Sequence, residues 1–200
     1  MRKRLLLFIA LGWVLLLIGD RVDELRVYQG ASIAVYVIAI GSIILLTGYS
    51  GQISLGHGAL MAFGGYVAAL CATNASLPLW FAFVMAALVT GIFGGILGFA
   101  AARLSGPYLA GTTLALAVGL PSLANQFSIL GGEQGIYLDP GLPPASLGES
   151  FSQYKWFFWI TTLAALITMW WIQNLLRSRY GRMWRAVKTN EVAAELAGIH

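Results

Sequence analysis

The chain has 200 residues, of which 58% are apolar and a further 24 residues are glycine, while 10% are charged and the net charge is +4. Soluble domains run at roughly 45–50% apolar with glycine included and roughly 25% charged. A soluble fold of this size has nowhere to bury so much apolar surface, so the composition excludes a soluble enzyme, a nucleic-acid module and a disordered tail, and indicates an integral membrane protein. The basic excess reads as loop charge that orients membrane helices. The one cysteine, Cys71, sits in an apolar stretch as a small buried residue and has no partner in the chain for a disulfide.

A helix crosses a bilayer with about 20 apolar residues, and about 17 are adequate. The first expected span is Leu5–Gly19, behind Arg2-Lys3-Arg4. No small-x-small site follows it, so it reads as an uncleaved helix and not a signal peptide. A polar connector, Asp20–Gln29, comes next. From Val27 to Ala102 there is no Asp, Glu, Lys or Arg. Each such charge costs about 2.5–3.5 kcal/mol at mid-membrane, so this silence means continuous membrane contact. Within it lie the spans Ala31–Thr47 and Ala59–Thr73, a turn at Asn74–Pro78, and the span Leu79–Ala102. A fifth span, Gly106–Phe127, is expected to be interrupted at Gly119-Leu120-Pro121. Ser128–Tyr154 is a polar Gly/Pro loop with Glu133, Asp139 and Glu149. Trp156–Leu176 is the last span, with Trp156, Trp159, Trp170 and Trp171 near its ends as interfacial anchors. The expectation is an all-α, polytopic transmembrane helix bundle of about six spans forming a single domain over residues 1–200. With the N-terminus in the cytoplasm, Arg103 and the tail Arg177–His200 fall inside and the acidic loop outside, as the distribution of basic residues requires.

Gly48-Tyr49-Ser50-Gly51-Gln52-Ile53-Ser54-Leu55-Gly56-His57-Gly58 is a poor helix core, with four glycines and five hydrogen-bonding side chains. It carries no Lys or Arg, so it is not an ordinary cytoplasmic loop. Residues near 48–58 are therefore expected to form a broken or re-entrant segment. Backbone at membrane depth must face protein or a watery cavity, and broken helices are a common way to build a transport site. A tight glycine turn at the membrane surface is the other reading. His57, with no Cys, Asp or Glu nearby, is not a metal site; it is a structural residue, a substrate contact or a proton carrier.

Gly91/Gly95 and Gly94/Gly98 give one helix a small-residue strip, for packing within the bundle or for the subunit interface of a dimer. In the tail, Asn190 is placed to cap a new helix with Glu191 at its positive end, and Val192, Leu196 and Ile199 share one face. Such a tail either anchors on anionic lipid or docks on a protein. There is no G-x-x-x-x-G-K-[ST] and no H-E-x-x-H. An intramembrane enzyme built on Ser54 and His57 lacks a third group to orient the histidine. A proton-coupled carrier needs an intramembrane ionisable residue, and His57 is the one available. Energy is therefore expected to come from another protein, and no cofactor or metal is expected in this chain.

Tyr49-Ser50-Gly51-Gln52-Ile53-Ser54-Leu55-Gly56-His57-Gly58-Ala59, continuing to Gly64-Gly65-Tyr66-Val67-Ala68-Ala69, resembles the signature of the M-type permease subunits of bacterial branched-chain amino acid ABC importers. Further pieces follow in order: Arg103-Leu104-Ser105-Gly106-Pro107-Tyr108-Leu109-Ala110 with Thr112-Thr113, then Gly131-Gly132-Glu133-Gln134-Gly135-Ile136, then Tyr180-Gly181-Arg182 through Gly198-Ile199. The resemblance implies a substrate pathway touched by Tyr49, Gly51, Gln52, Ser54, Gly56, His57, Tyr108 and Thr112. It also implies a cytoplasmic segment, residues 177–200, that couples to an ATPase through Gly181, Arg182, Arg185, Glu191, Ala194 and Gly198. The implied partners are ABC ATPase subunits, a second, homologous H-type permease, a periplasmic substrate-binding protein and membrane lipid; the implied location is the inner membrane. Family members are longer, so the chain is expected to be the N-terminal part of a longer family domain. Permeases for urea, short amides or other amino acids look similar. A small channel and an inactive fragment are the readings of a different kind.

Overall fold

The structure, a computed structural model, describes residues 2–75, 77–101, 104, 107–138, 143 and 151–199. Among these residues every regular element is helical. In chain order they are α1 (Arg2–Arg21), α2 (Glu24–Ile43) with a π-helical turn (Ile44–Ser50), α3 (His57–Thr73), α4 (Leu79–Ala101), α5 (Pro107–Gln126), two short 3₁₀ turns (Ser128–Leu130 and Gly132–Gln134), α6 (Gln153–Arg177), α7 (Arg179–Thr189) and α8 (Glu191–Leu196). Arg103, Asp139 and Glu149, which entered the reading of the loops, lie outside the described residues, as do Ser105 and Gly106 of the second motif.

Among the described residues three helices are long and apolar enough to cross a membrane: Glu24–Ser50, Leu79–Ala101 and Gln153–Arg177. Tyr108–Gln126 with Ser128–Gln134 makes a fourth if that pair, bent by 103°, counts as one span. This is fewer than the six expected. The apolar stretch of α1, Leu5–Gly19, is short and flanked by Arg2-Lys3-Arg4 and Asp20-Arg21. Helix α3 is apolar but has only 17 residues, at the lower limit of a crossing. The connector Asp20–Gln29 is shorter than expected, because α1 runs to Arg21 and α2 starts at Glu24. The expected interruption at Gly119-Leu120-Pro121 is absent; α5 runs through Pro121 to Gln126. A proline removes one backbone donor, a loss that membrane helices tolerate where neighbouring groups take up the freed carbonyl.

The chain divides into two compact units, residues 1–51 with 142–200, and residues 52–141. Helices in lipid gain little by burying apolar side chains on one another, so close approach at small residues sets their packing. In the first unit α1 and α2 both lie on α6. The ring of Phe158 fills the space over two glycines. A Cβ added to Gly19 would stand 2.6 Å from it, and one added to Gly30 would stand 2.8 Å away. Val27 and Ala31 complete this core, with Leu15, Val22 and Trp159 around it. The same seam continues to Gly12 against Leu166 and to Gly41 against Ile172 and Met169. At its end Lys155 Nζ donates to Asp20 Oδ1 at 2.8 Å, tying α1 to the start of α6.

In the second unit α3 packs on α4 and α5. Phe63 and Phe93 stack with centroids 4.3 Å apart. Gly64 faces the buried hydroxyl of Thr90, and Gly94 faces Leu60. A Cβ at Gly91, Gly95 or Gly98 would meet nothing within 4 Å among the described residues. The α4 strip is thus filled at Gly94 and open along the rest of its length.

Two predictions follow from the first unit. Gly30→Ala forces the Phe158 ring aside and lowers thermal stability in detergent by about 1–3 kcal/mol, the cost of overpacking. Gly111→Ala, where a Cβ meets nothing, is neutral or stabilising by up to about 1 kcal/mol; equal effects at the two sites would refute the seam. The Lys155 ammonium, by hydrogen bond and charge, holds the exposed Asp20 carboxyl below its ordinary pKa. A lowered folded-state pKa gives stability that is present above the ordinary carboxylate range and lost as pH falls through the lowered value. The stability gap between wild type and Asp20→Asn is therefore expected to close on acidification, measured by melting at neutral and acidic pH.

Candidate functional site

The helix that starts at Glu24 stops in an unusual way. Its ladder widens into the π turn and ends at Gly51, whose φ of 75° lies in the left-handed region that glycine tolerates best. The Gly51 N–H reaches back to the Leu46 carbonyl. Gly48 O is among the carbonyls that a helix end leaves without an intrahelical partner. Lys188 of α7 supplies the donor, Nζ to Gly48 O at 2.6 Å. A Cβ on Gly51 would stand 3.0 Å from Lys188 Cγ, so the lysine stem lies along the glycine. Tyr49, half-buried, belongs to this turn.

In the second unit, Gln52–Gly56 is non-helical and α3 starts at His57. The Leu55 N–H donates to Thr113 Oγ1 at 3.0 Å. That hydroxyl donates in turn to the Leu109 or Ala110 carbonyl, at 2.9 and 3.0 Å. Gly56 is buried, and a Cβ there would stand 3.2 Å from the Thr113 carbonyl; only glycine lets the segment lie this close to α5. Ser54 Oγ accepts from the Gly56 N–H at 3.4 Å. Among the described residues the buried His57 Nδ1 meets no partner at full hydrogen-bond geometry, and the Ser54 backbone is the group that interacts with the ring. Gln52 is exposed. On α5, Tyr108 and Thr112 are exposed, and the Thr112 hydroxyl bonds to the Tyr108 carbonyl.

The C-terminal helices form an elbow. Helix α6 ends at Arg177, Ser178 breaks the chain, and α7 departs at once. Gly181 is buried, and a Cβ on it would overlap the Leu176 carbonyl. The freed carbonyls of α6 are taken up from α7 and the turn. Arg182 Nη1 bonds to Arg177 O at 3.1 Å, Arg185 Nη2 to Leu176 O at 3.4 Å, and Ser178 Oγ to Leu175 O at 2.6 Å. Asn190 caps α8 by accepting from the Ala193 N–H at 3.0 Å. Gly198, with φ of 78°, closes that helix. Its N–H reaches Glu195 O while the Ile199 N–H reaches Ala194 O, the paired bonds of a glycine C-cap. Ala194 is buried in this small pair of helices, whereas Val192 and Leu196 are 66% and 86% exposed. Glu191 and Glu195 are exposed and form no ion pair among the described residues.

Residues 28–200 match the family described as branched-chain amino acid transport system, permease component. The chain belongs to this permease family. It is 28% identical to the high-affinity branched-chain amino acid transport system permease protein LivM of Salmonella typhimurium strain LT2, and 27% identical to LivM of Escherichia coli strain K12. Each match runs over 218 residues, 97% of this chain and 50% of the relative, so the permease spans about half the length of these curated relatives. No solved structure matches it. Family and helices together make it a multi-pass membrane protein.

Sequence reasoning passed over two residues of this permease. Thr113, the neighbour of Thr112 in the second motif, is the one that holds the non-helical segment. Lys188, one of the basic residues of the tail, holds the π turn. The adjacent Thr112-Thr113 pair was a usable signal for the first; nothing local marks the second. Thr113→Val leaves the exposed Leu55 N–H without its protein acceptor and is expected to destabilise the second unit by about 0.5–1.5 kcal/mol, while Thr113→Ser retains the bond. Hydrogen exchange at Leu55 checks this. An unchanged exchange rate in Thr113→Val would show that the bond does not hold the segment.

Proposed function

We propose that the chain is the M-type translocation subunit of an ATP-driven importer that carries leucine, isoleucine and valine across the bacterial inner membrane, with its N-terminus in the cytoplasm. The curated relatives are permeases of a branched-chain amino acid system, which supports the substrate class. The observation that carries the reading is the elbow. After the apolar helix α6, a chain with few charges forms a short, doubly capped helix that leaves Glu191, Val192 and Leu196 exposed. An anchor on anionic lipid gives no use for two unpaired glutamates. A groove in a partner ATPase accounts for both the apolar side chains and the acids.

In this reading Gly181, Arg182 and Arg185 stiffen the joint between α6 and α7. Ala194 and Gly198 shape α8, and Glu191 meets the ATPase. Tyr49, Gly51, Gln52, Ser54, Gly56, His57, Tyr108 and Thr112 contribute to the pathway, with the buried His57 Nδ1, which has no partner at full hydrogen-bond geometry among the described residues, placed to meet a polar group of the substrate. A second permease supplies the other half of the pathway, and a periplasmic protein delivers the cargo. ATP binding in the partner favours one arrangement of the helices over the other, by as much as its affinities for the two differ. Gln52 and Ser54 suit an amide as well as a zwitterion, so competition by urea or short amides is a second readout of the same uptake assay.

Glu191→Lys and Gly198→Asp are expected to abolish ATP-dependent uptake of labelled leucine while the protein still reaches the membrane, as judged by immunoblot of membrane fractions. Normal uptake by both variants would remove α8 from the coupling role.

A further inference from the structure

Three cations on α7 turn towards helix ends, and two of them are committed to α6: Arg182 to Arg177 O and Arg185 to Leu176 O. The third reaches elsewhere. Lys188, on the last turn of α7, bonds across 140 residues of sequence to Gly48 O in the π turn. We propose that Lys188 is the positioning residue that fixes the broken end of α2 to the C-terminal elbow, so that a displacement of α7 is passed to residues 48–51. This deepens the coupling role given to α7 and α8 above and rests on it.

Three features support the assignment. The bond is short and charge-assisted, a class stronger than the neutral bonds of a helix ladder. Its acceptor is a carbonyl that the helix end cannot satisfy from within, so the lysine fills a gap that the local backbone leaves open. Gly51 is shaped for it: left-handed, and without the Cβ that would stand 3.0 Å from the lysine stem. Gly51 is also the last residue of the first unit before the chain passes to Gln52. A tie at this point therefore acts where the chain leaves the unit. The elbow behind Lys188 is stiffened by Gly181 and the two arginines, so motion of α7 reaches the lysine with little loss. Lys188 is exposed, yet both its ammonium and its stem are placed on the turn.

The test uses the full chain in membranes, with Cys71→Ser removing the native thiol and Ser50→Cys placing a reporter in the π turn. The labelling rate with a maleimide is compared in backgrounds with and without the clasp. Lys188→Met is expected to raise the rate about tenfold, the scale of one charge-assisted hydrogen bond lost. Lys188→Arg, which keeps a cationic donor, is expected to restore a rate near that of the parent. Gly51→Ala pushes the stem away but also strains the left-handed turn, so its raised rate counts for the clasp where adding Lys188→Met raises it no further; Lys188→Gln covers the case in which Lys188→Met fails to accumulate. Equal rates in Lys188→Met, Gly51→Ala and the parent overturn the proposal. Glu191→Lys separates the two claims, since loss of uptake with unchanged labelling in the π turn is the result expected if both hold. Lys188-dependent labelling in a chain that shows no ATP-dependent uptake supports the clasp and overturns the importer reading.

Discussion

A helix end leaves four carbonyls or four N–H groups without partners within the helix. The structure meets this constraint with side chains borrowed from other elements. Lys188 takes the carbonyl at the end of the π turn, Arg182 and Arg185 take those at the end of α6, and Thr113 takes the N–H of the segment before α3. Each loan ties two parts of the chain together. The breaks that interrupt the helices are therefore also the places where distant segments meet.

Glycine does the complementary work. Gly12, Gly19, Gly30 and Gly41 admit the side chains of α6, and Phe158 sits over two of them. Gly56 lets a non-helical segment lie on α5, and Gly181 lets α7 turn back over the end of α6. Gly51 and Gly198 supply left-handed conformations where helices stop. The consequence is a first unit whose membrane helices and C-terminal elbow are one packed body, with cationic and acidic groups separated along the tail: Arg182 and Arg185 of α7 bond back to the end of α6, and the glutamates of α8 are exposed.

Much of this was legible from residue type and spacing. The uncharged run Val27–Ala102 marked continuous membrane contact, and the four glycines between Gly48 and Gly58 marked the break. Asn190 marked a cap because its neighbours are a glutamate and an apolar helical face. The misreadings have physical causes. Pro121 was read as an interruption, but a membrane helix can carry a proline within it. The stretch from Asp20 was read as a connector because it is charged, although Glu24-Leu25-Arg26 already forms the first turn of α2. Leu5–Gly19 and Ala59–Thr73 have apolar composition without the length of a secure crossing. Thr113 and Lys188 escaped notice because their partners lie 58 and 140 residues away, and a single sequence carries no mark of such pairings.

The most direct measurement is purification of the intact gene product from gently solubilised membranes, with mass spectrometry of what comes with it and an assay of ATP hydrolysis in the purified material. An importer subunit is expected to bring an ATPase that carries a phosphate-binding loop and a second permease, with hydrolysis stimulated by a periplasmic protein loaded with leucine, isoleucine or valine. A chain that emerges alone and moves amino acids without any ATPase would contradict the role given to the elbow and to the helix it presents.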